Sequence, residues 1–148
     1  MSQPPETLYS STDAIERSRR LHDLRVLVVD DQEDTRDLMA IVLEAAGAKV
    51  TLAASVAAAL DALAGSEFAI LVSDIGMPEQ DGYDLIERLR RHGSAKLRQI
   101  PAVAVTAFSA PEDRRKAITA GFQEHLSKPV DLAKLVQVVA QLAASKRG

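Results

Sequence analysis

The sequence contains no cysteine and no tryptophan, and aromatic residues make up only 3% of it. Without cysteine the chain can form neither a disulfide framework nor a thiolate nucleophile or thiolate metal site, which suits a reducing compartment. Surfaces that stack on nucleic-acid bases need aromatic rings, and a net charge of −3 gives no general attraction to nucleic acid or anionic lipid. We therefore expect a protein that binds neither nucleic acid nor membrane.

Long apolar runs are missing as well. None approaches the roughly 18–20 residues that a membrane-spanning helix needs, and the opening residues, MSQPPETLYSS, lack the basic-then-apolar order of a secretory signal. The 148 residues suit one domain. A chain of that length can bury about 68–70% of its unfolded surface, enough for a core without disulfides. These absences predict a single-domain cytoplasmic protein.

The first 23 residues differ from the rest of the chain. Two prolines and a cluster of serines and threonines open the sequence without periodicity, which is typical of a disordered arm. Asp13 followed by Glu16 resembles a capping box, so a short helix over 13–22 is an alternative for part of this segment. We predict an arm over 1–23, partly disordered or a short helix, and a folded domain over 24–146.

Short apolar runs alternate with helical patterns from residue 25 onward. The apolar runs are rich in β-branched residues and bounded by turn signals, as in strands that are buried on both faces. The predicted strands are β1 over 26–29, β2 over 50–53, β3 over 68–73, β4 over 100–107 and β5 over 122–127. The predicted helices are α1 ending near 47, α2 over 55–65, α3 over 83–91, α4 over 111–120 and α5 over 132–142.

The apolar face of α1 is predicted from residues that recur at helical spacing: Leu38, Ile41, Val42 and Ala45. Strands that alternate with helices form right-handed βαβ crossovers, and these produce a parallel sheet covered by helices on both faces. The sequence therefore predicts a doubly wound α/β fold.

Polar side chains lie where four of the predicted strands end. They are Asp30 and Asp31 after β1, Asp74 after β3, Thr106 beside Ala107 at the end of β4, and Lys128 after β5. Ligands of open parallel sheets bind at the carboxyl ends of the strands, near the switch point in strand order. A single Asp after a strand is more often a helix cap or a turn residue. The joint occurrence at four strand ends is what predicts a site.

Three clustered carboxylates repel one another, and a hard divalent cation relieves that repulsion. Mg²⁺ takes oxygen ligands and is usually held by one or two carboxylates together with waters. Asp31 and Asp74 can supply these ligands, helped by a backbone carbonyl just past Asp74. Lys128 suits a phosphate oxygen, and the Thr106 hydroxyl can donate to another. This set predicts phosphoryl transfer to the Asp74 carboxylate, where catalysis is mostly positioning and charge neutralisation.

Four motifs carry a resemblance to a known family. VLVVDD (26–31), SDIGMPEQDGYDL (73–85), AVTA (104–107) and SKP (127–129) resemble the motifs of the response-regulator receiver domain of two-component signalling. The resemblance covers about 24–144, nearly everything outside the arm. It implies a flavodoxin-like, five-stranded parallel sheet in the order 2-1-3-4-5.

The resemblance also implies how the acceptor would work. Asp74 would take a phosphoryl group from a histidine kinase or a histidine phosphotransfer protein and later lose it by hydrolysis. Asp31 and the main-chain carbonyl of Gly76 would bind Mg²⁺ beside Asp74, and Asp30 would support the water shell of the metal. Such a chain is a signalling module that catalyses its own phosphorylation and dephosphorylation, and it is not an enzyme for other substrates.

The phosphate-sensing side is implied by the same resemblance. Lys128, Thr106 and Ala107 match the phosphate-binding positions, and the Lys128–Pro129 peptide is expected to be cis. Thr106 would move inward on phosphorylation and switch the α4–β5–α5 face for a downstream protein partner or a homodimer. His125 stands where receivers commonly carry an aromatic switch residue. Either it does the same packing or the output face is coupled differently. A pH-sensitive face and a surface ring without a switch role are further alternatives.

Other functions remain open at this stage. The pattern over 122–131 is similar to receivers attached to kinases, so a segment of a hybrid histidine kinase competes with a stand-alone regulator. A haloacid-dehalogenase-type phosphatase needs a second acid two residues after its nucleophile, where this chain has Gly76. A pseudo-receiver that only binds partners has no support in the residues. Gly76 and Phe108 occupy positions that tune water access, and the phosphate lifetime is left unpredicted.

Overall fold

The computed structural model describes residues 20–77, 81–107 and 110–147. The strands are β1 (Arg25–Val29), β2 (Lys49–Ala53), β3 (Ile70–Asp74), β4 (Ala102–Thr106) and β5 (Glu124–Ser127). The long helices are α1 (Glu33–Ala45), α2 (Val56–Gly65), α3 (Gly82–Arg90), α4 (Pro111–Ala120) and α5 (Leu132–Arg147), and one unpredicted helical turn occupies Ala95–Arg98. Phe108 and positions 1–19 of the predicted arm lie outside the described residues.

The strands form one parallel sheet in the order β2-β1-β3-β4-β5. The predicted doubly wound, flavodoxin-like fold is therefore confirmed. The strand order reverses at β1, which has β2 on one side and β3 on the other. In sheets of this kind the crevice at the reversal is where ligands bind.

Successive side chains of each strand enter two different cores. In β1, Val26 and Val28 face α1 and α5, whereas Leu27 and Val29 face α2 and α3. All four are fully buried. Burying a side chain of this size contributes about 1.5–3 kcal/mol, and the two cores fix the sheet from both sides. The strand ends are therefore held rigidly in register.

The helix α1 is present, but a different stripe of it faces the core. Leu38 is 53% exposed and Ile41 is 63% exposed, although both belong to the predicted apolar face. The core-facing side chains are Met39, Leu43 and, just past the helix end, Ala46, and Val42 of the predicted face packs partly buried against the same core. The prediction of the buried face was wrong for Leu38 and Ile41 because two apolar stripes overlap on α1, and spacing alone cannot show which stripe meets the sheet. We call Leu38 and Ile41 the α1 apolar patch.

The segment before β1 packs onto the core beside α1 and α5. Leu21 and Leu24 are buried, and the Leu21 N–H donates to the Ala46 carbonyl at 2.9 Å. The Asp23 N–H donates to the Gly47 carbonyl at 3.0 Å. Among the described residues, no helix has the length and apolar character needed to span a bilayer.

Candidate functional site

The sheet register brings the predicted site residues to one edge. Val29 of β1 pairs with Ser73 of β3, and Asp30 and Asp74 are the residues that directly follow this pair. Thr106, the last residue of β4, directly follows Val105, which pairs with Asp74. Lys128 directly follows β5, whose last residue pairs with Thr106. Because the strands end at nearly the same level, two carboxylates, a hydroxyl and an ammonium lie together at the carboxyl edge of the sheet.

Asp30, Asp31 and Asp74 form a carboxylate cluster, in which one oxygen of each lies within 4.8 Å of the others. Asp30 and Asp74 are buried, whereas Asp31 is exposed. Burial, followed by the negative charge of Asp30, raises the pKa of Asp74 above its usual value, although Lys128 acts in the opposite direction. The cluster therefore carries a repulsion that a bound cation would remove.

Lys128 spans this cluster from the side of β5. Its Nζ lies 3.1 Å from Asp30 Oδ2 and 3.3 Å from Asp74 Oδ2, and it donates to Gln32 Oε1 at 3.1 Å. Burial opposes its charge, but the hydrogen bond to Asp30 and the charges of Asp74 and Asp30 outweigh burial and raise the pKa of Lys128. The ammonium is thus held charged beside the carboxylate that is predicted to be the acceptor.

Two hydrogen bonds hold Asp74 in place, one to its carboxylate and one to its main-chain carbonyl. The Gly76 N–H donates to Asp74 Oδ1 at 3.2 Å, and the Ser73 hydroxyl donates to the Asp74 carbonyl at 2.9 Å. Gly82, the first residue of α3, lies so close that a Cβ there would be 2.4 Å from the Asp74 carbonyl oxygen. A capping box between Asp81 and Asp84 starts α3 at this point. The start of α3 is therefore pressed directly against the strand end that carries Asp74.

The predicted phosphate-sensing residues lie on the β4 and β5 side of the site. Thr106 is buried and Ala107 is exposed at the rim. The Lys128 N–H donates to the Thr106 carbonyl at 2.8 Å, and the Lys128–Pro129 peptide is cis, as predicted. The ends of β4 and β5 are thus joined immediately beside the ammonium.

His125 is a buried residue, which corrects the alternative of a surface ring. It is 8% exposed and pairs with Ala104 of β4, whose side chain belongs to the core beneath α3 and α4. Its Nε2 is enclosed and has no hydrogen-bond partner in the described parts of the chain. The imidazole therefore packs as an aromatic ring would, while its switch role remains a prediction.

The residues of the cluster fit a divalent cation. They offer three carboxylates whose oxygens lie close together, with Asp31 open to solvent for metal-bound waters. Oxygen donors of this kind suit Mg²⁺, which dehydrates reluctantly and keeps several waters. The cluster can therefore hold a metal beside Asp74.

Two residues of the site were missed by sequence reasoning. Gln32 contacts Lys128 through its side chain, and its N–H donates to Asp30 Oδ1 at 2.8 Å. Arg36 donates from Nη1 to the Asp30 carbonyl at 3.0 Å. A signal existed for Gln32 alone, because glutamine is an unusual residue at a helix N-cap.

Comparison with known proteins places the chain in a family. The model of the response regulator receiver domain matches residues 26–140. The chain is 45% identical over 121 residues to an uncharacterized 14.6 kDa protein of Leptolyngbya boryana, covering 82% of this chain and 91% of that protein. It is 36% identical over 128 residues to the sensory/regulatory protein RpfC of Xanthomonas campestris, covering 86% of this chain and 18% of that protein. The chain therefore spans less than a fifth of this longer relative.

A solved structure shows the same architecture. A response regulator from Chloroflexus aurantiacus aligns with a TM-score of 0.77 at 30% identity, covering 82% of this chain and 98% of that one. The fold, the carboxylate cluster and the family match agree with one another. The chain belongs to the response regulator receiver domain family, the signalling modules of two-component systems.

Proposed function

We propose that this receiver accepts a phosphoryl group on Asp74, with Mg²⁺ as cofactor, in a two-component phosphorelay. The observation that carries the proposal is the position of Lys128, whose Nζ lies 3.3 Å from Asp74 Oδ2 at the edge of a three-carboxylate cluster. A new dianion on Asp74 is tolerable only beside such positive charge. The cluster and the ammonium together supply the charge balance that an acyl phosphate needs.

The transfer step follows from these groups. An Asp74 carboxylate oxygen attacks the phosphorus of a partner phosphohistidine, the P–N bond breaks, and its electron pair stays on the imidazole. Lys128 donates to one phosphoryl oxygen and the Thr106 hydroxyl to another. Asp31, Asp74 and the Gly76 carbonyl would hold Mg²⁺, with Asp30 supporting its waters, and the bound ion would neutralise charge on the phosphoryl oxygens.

Reversal of the signal is hydrolysis at the same phosphorus. A water oxygen forms the new bond to phosphorus, the P–O bond to Asp74 breaks, and its electron pair restores the carboxylate. The proton of the water leaves with inorganic phosphate. We include this self-catalysed dephosphorylation in the proposal, and its rate depends on how water reaches the exposed side of the cluster around Asp31.

The phosphodonor is a histidine kinase or a histidine phosphotransfer protein, and we propose that it docks on the α1 apolar patch. α1 begins at Glu33, two residues after Asp31. Leu38 and Ile41 lie about 8 and 12 Å further along its axis. A helical partner that brings its phosphohistidine to Asp74 would therefore cover both side chains, which are otherwise exposed to water.

The output surface in this proposal is the α4–β5–α5 face, read by a downstream protein or by a second copy of the chain. The Lys128–Thr106 hydrogen bond and the buried His125 support it, because they join the site to β5 and to the core under α4. Light scattering with and without beryllofluoride would detect dimerisation as a doubled mass.

The context of the domain also remains a proposal. We propose a receiver over 24–146 with an arm over 1–23, acting in the cytoplasm. The similarity to RpfC supports a hybrid-kinase segment, and the near-complete match to the small Leptolyngbya boryana protein supports a stand-alone regulator.

Intact mass after incubation with acetyl phosphate and Mg²⁺ tests the acceptor assignment. Wild type should gain one phosphoryl group, Asp74→Asn should gain none, and a chelator should abolish the gain. Asp61→Asn, at an exposed position of α2, is the matched control and should behave as wild type. No adduct on wild type would overturn the acceptor role and favour a pseudo-receiver that only binds partners.

A further inference from the structure

Gln32 connects β1 to α1 and occupies the N-cap of that helix. N-cap positions favour Ser, Thr, Asp and Asn, whose short side chains bond to the first free N–H groups of the helix. Gln32 has the extended backbone of an N-cap, with φ −88° and ψ 112°, but its side chain makes no cap hydrogen bond. Its Oε1 instead accepts from Lys128 Nζ at 3.1 Å. The Gln32 side chain therefore bonds to Lys128 of the site and not to the N–H groups at the start of α1.

The contact with Gln32 adds a hydrogen bond to the two ion pairs that the ammonium makes with Asp30 and Asp74. A lysine ammonium has three donors, and Lys128 has three acceptors within reach: Asp30 Oδ2, Asp74 Oδ2 and Gln32 Oε1, at 3.1, 3.3 and 3.1 Å. Of these three acceptors, the Gln32 amide oxygen is uncharged, whereas the other two belong to carboxylates. It can hold the ammonium without competing with a phosphoryl group for its charge.

The main chain of Gln32 acts on the same charge network. Its N–H donates to Asp30 Oδ1 at 2.8 Å, while Asp30 Oδ2 faces Lys128. One residue therefore fixes the buried carboxylate through its backbone and the ammonium through its side chain. A substitution of the side chain leaves the backbone contact in place, so that the two effects can be separated.

We propose that Gln32 is a positioning residue for phosphoryl transfer, holding the Lys128 ammonium at the edge of Asp74 where the phosphoryl oxygens arrive. The inference rests on the proposed acceptor function of Asp74. With acetyl phosphate as donor, an Asp74 oxygen bonds to phosphorus as the P–O bond to acetate breaks, and acetate leaves with the electron pair. Lys128 only donates hydrogen bonds, so its placement sets the rate through orientation.

The test compares substitutions that remove or retain the acceptor oxygen. Gln32→Met keeps length without an acceptor, and Gln32→Glu keeps an acceptor oxygen at the same reach. Gln137→Met, at an exposed position of α5, is the matched control. Initial phosphorylation rates come from intact-mass time courses with acetyl phosphate and Mg²⁺, and thermal unfolding verifies that each variant is folded.

The expected result is a roughly 3- to 10-fold slower phosphorylation of Gln32→Met, with partial recovery in Gln32→Glu and a wild-type rate in Gln137→Met. A wild-type rate in Gln32→Met, or a Gln32→Glu variant no faster than Gln32→Met, would overturn the inference. Failure of wild type itself to take the phosphoryl group would instead overturn the proposed function, so the two failures are distinguishable.

Discussion

The Asp74 carboxylate is buried beside Asp30, and burial is the main cause of its raised pKa. A carboxyl whose folded-state pKa is raised stabilises the fold at low pH, and this contribution is lost as pH rises through the raised pKa. Without metal, the ionised Asp74 should therefore destabilise the protein at neutral pH. The burial that prepares the site for a cation and a phosphoryl group opposes folding when both are absent.

Asp74→Asn should be more stable than wild type in chelator at neutral pH. An increase in Tm of roughly 2–4 °C corresponds to about 1 kcal/mol in a domain of this size. The difference should shrink as pH falls through the raised pKa of Asp74, because the wild-type carboxyl then becomes neutral too. Thermal unfolding across acidic to neutral pH measures this, with Asp61→Asn as control. A variant less stable than wild type at neutral pH would contradict the argument.

Gly82 tolerates no side chain because of where it lies. A Cβ at this position would be 2.4 Å from the Asp74 carbonyl oxygen and 2.9 Å from Ile75 Cα, and neither backbone atom can rotate away. Gly82→Ala should cost about 1–3 kcal/mol and slow phosphorylation by displacing Asp74. Denaturant unfolding and intact mass measure the two effects. Gly65→Ala is the matched control, because no atom outside the neighbouring helix backbone lies within 4 Å of its Cβ position and stability should not fall. Equal stability of the two variants would show that α3 can shift without cost.

Individual site residues were predictable from the sequence where they lie at the end of a predicted strand. Asp30, Asp74, Thr106 and Lys128 follow or end apolar runs, and parallel strands carry such positions to one edge. Gln32 was not predictable in the same way, because its partner lies 96 positions away in sequence. The sequence left the burial of His125 undecided, since a single histidine on a short strand carries no signal for the face that it occupies.

At the scale of the element, α1 shows where periodicity stops being decisive. Its helical state was predicted correctly, but its orientation was not, because Leu38 and Ile41 are exposed while Met39 and Leu43 reach the sheet. An apolar residue at helical spacing can be buried either by the core or by a partner surface. The orientation is set by which stripe fills the space above β1, and that requires the tertiary structure.

The α1 apolar patch yields a prediction about partner choice. Leu38→Lys and Ile41→Lys should slow phosphoryl transfer from a phosphorylated histidine kinase by roughly tenfold or more, the equivalent of about 1.4 kcal/mol of lost docking. Phosphorylation by acetyl phosphate should not change, because neither side chain contacts the cluster. Ile118→Lys, at a 42% exposed position on α4, is the control. Kinase transfer that is unaffected in both variants would place the docking surface elsewhere.

At the scale of the whole molecule, the order of elements along the chain was sufficient to predict the sheet. Alternating strands and helices impose parallel crossovers, and the motifs at the strand ends implied the order 2-1-3-4-5. The packing of Leu21 onto the core could not be predicted in this way, because Leu21 lies before the alternation of strands and helices that begins at residue 25. Its position depends on the Ala46 carbonyl at the end of α1, to which its N–H donates.

The hydrogen bond between the ends of β4 and β5 predicts which elements phosphorylation of Asp74 should stabilise. The Lys128 N–H already joins the end of β5 to Thr106 of β4 at 2.8 Å, and a phosphoryl group would add hydrogen bonds from the ammonium and the hydroxyl. Beryllofluoride with Mg²⁺ should therefore slow amide hydrogen exchange in β5 and at the start of α4, while α2, on the far side of β1, should be unchanged. Hydrogen-exchange mass spectrometry measures this, and Asp74→Asn should abolish it. Protection confined to the loops at the cluster would mean that β5 does not transmit the signal and that the partner reads the acceptor edge directly.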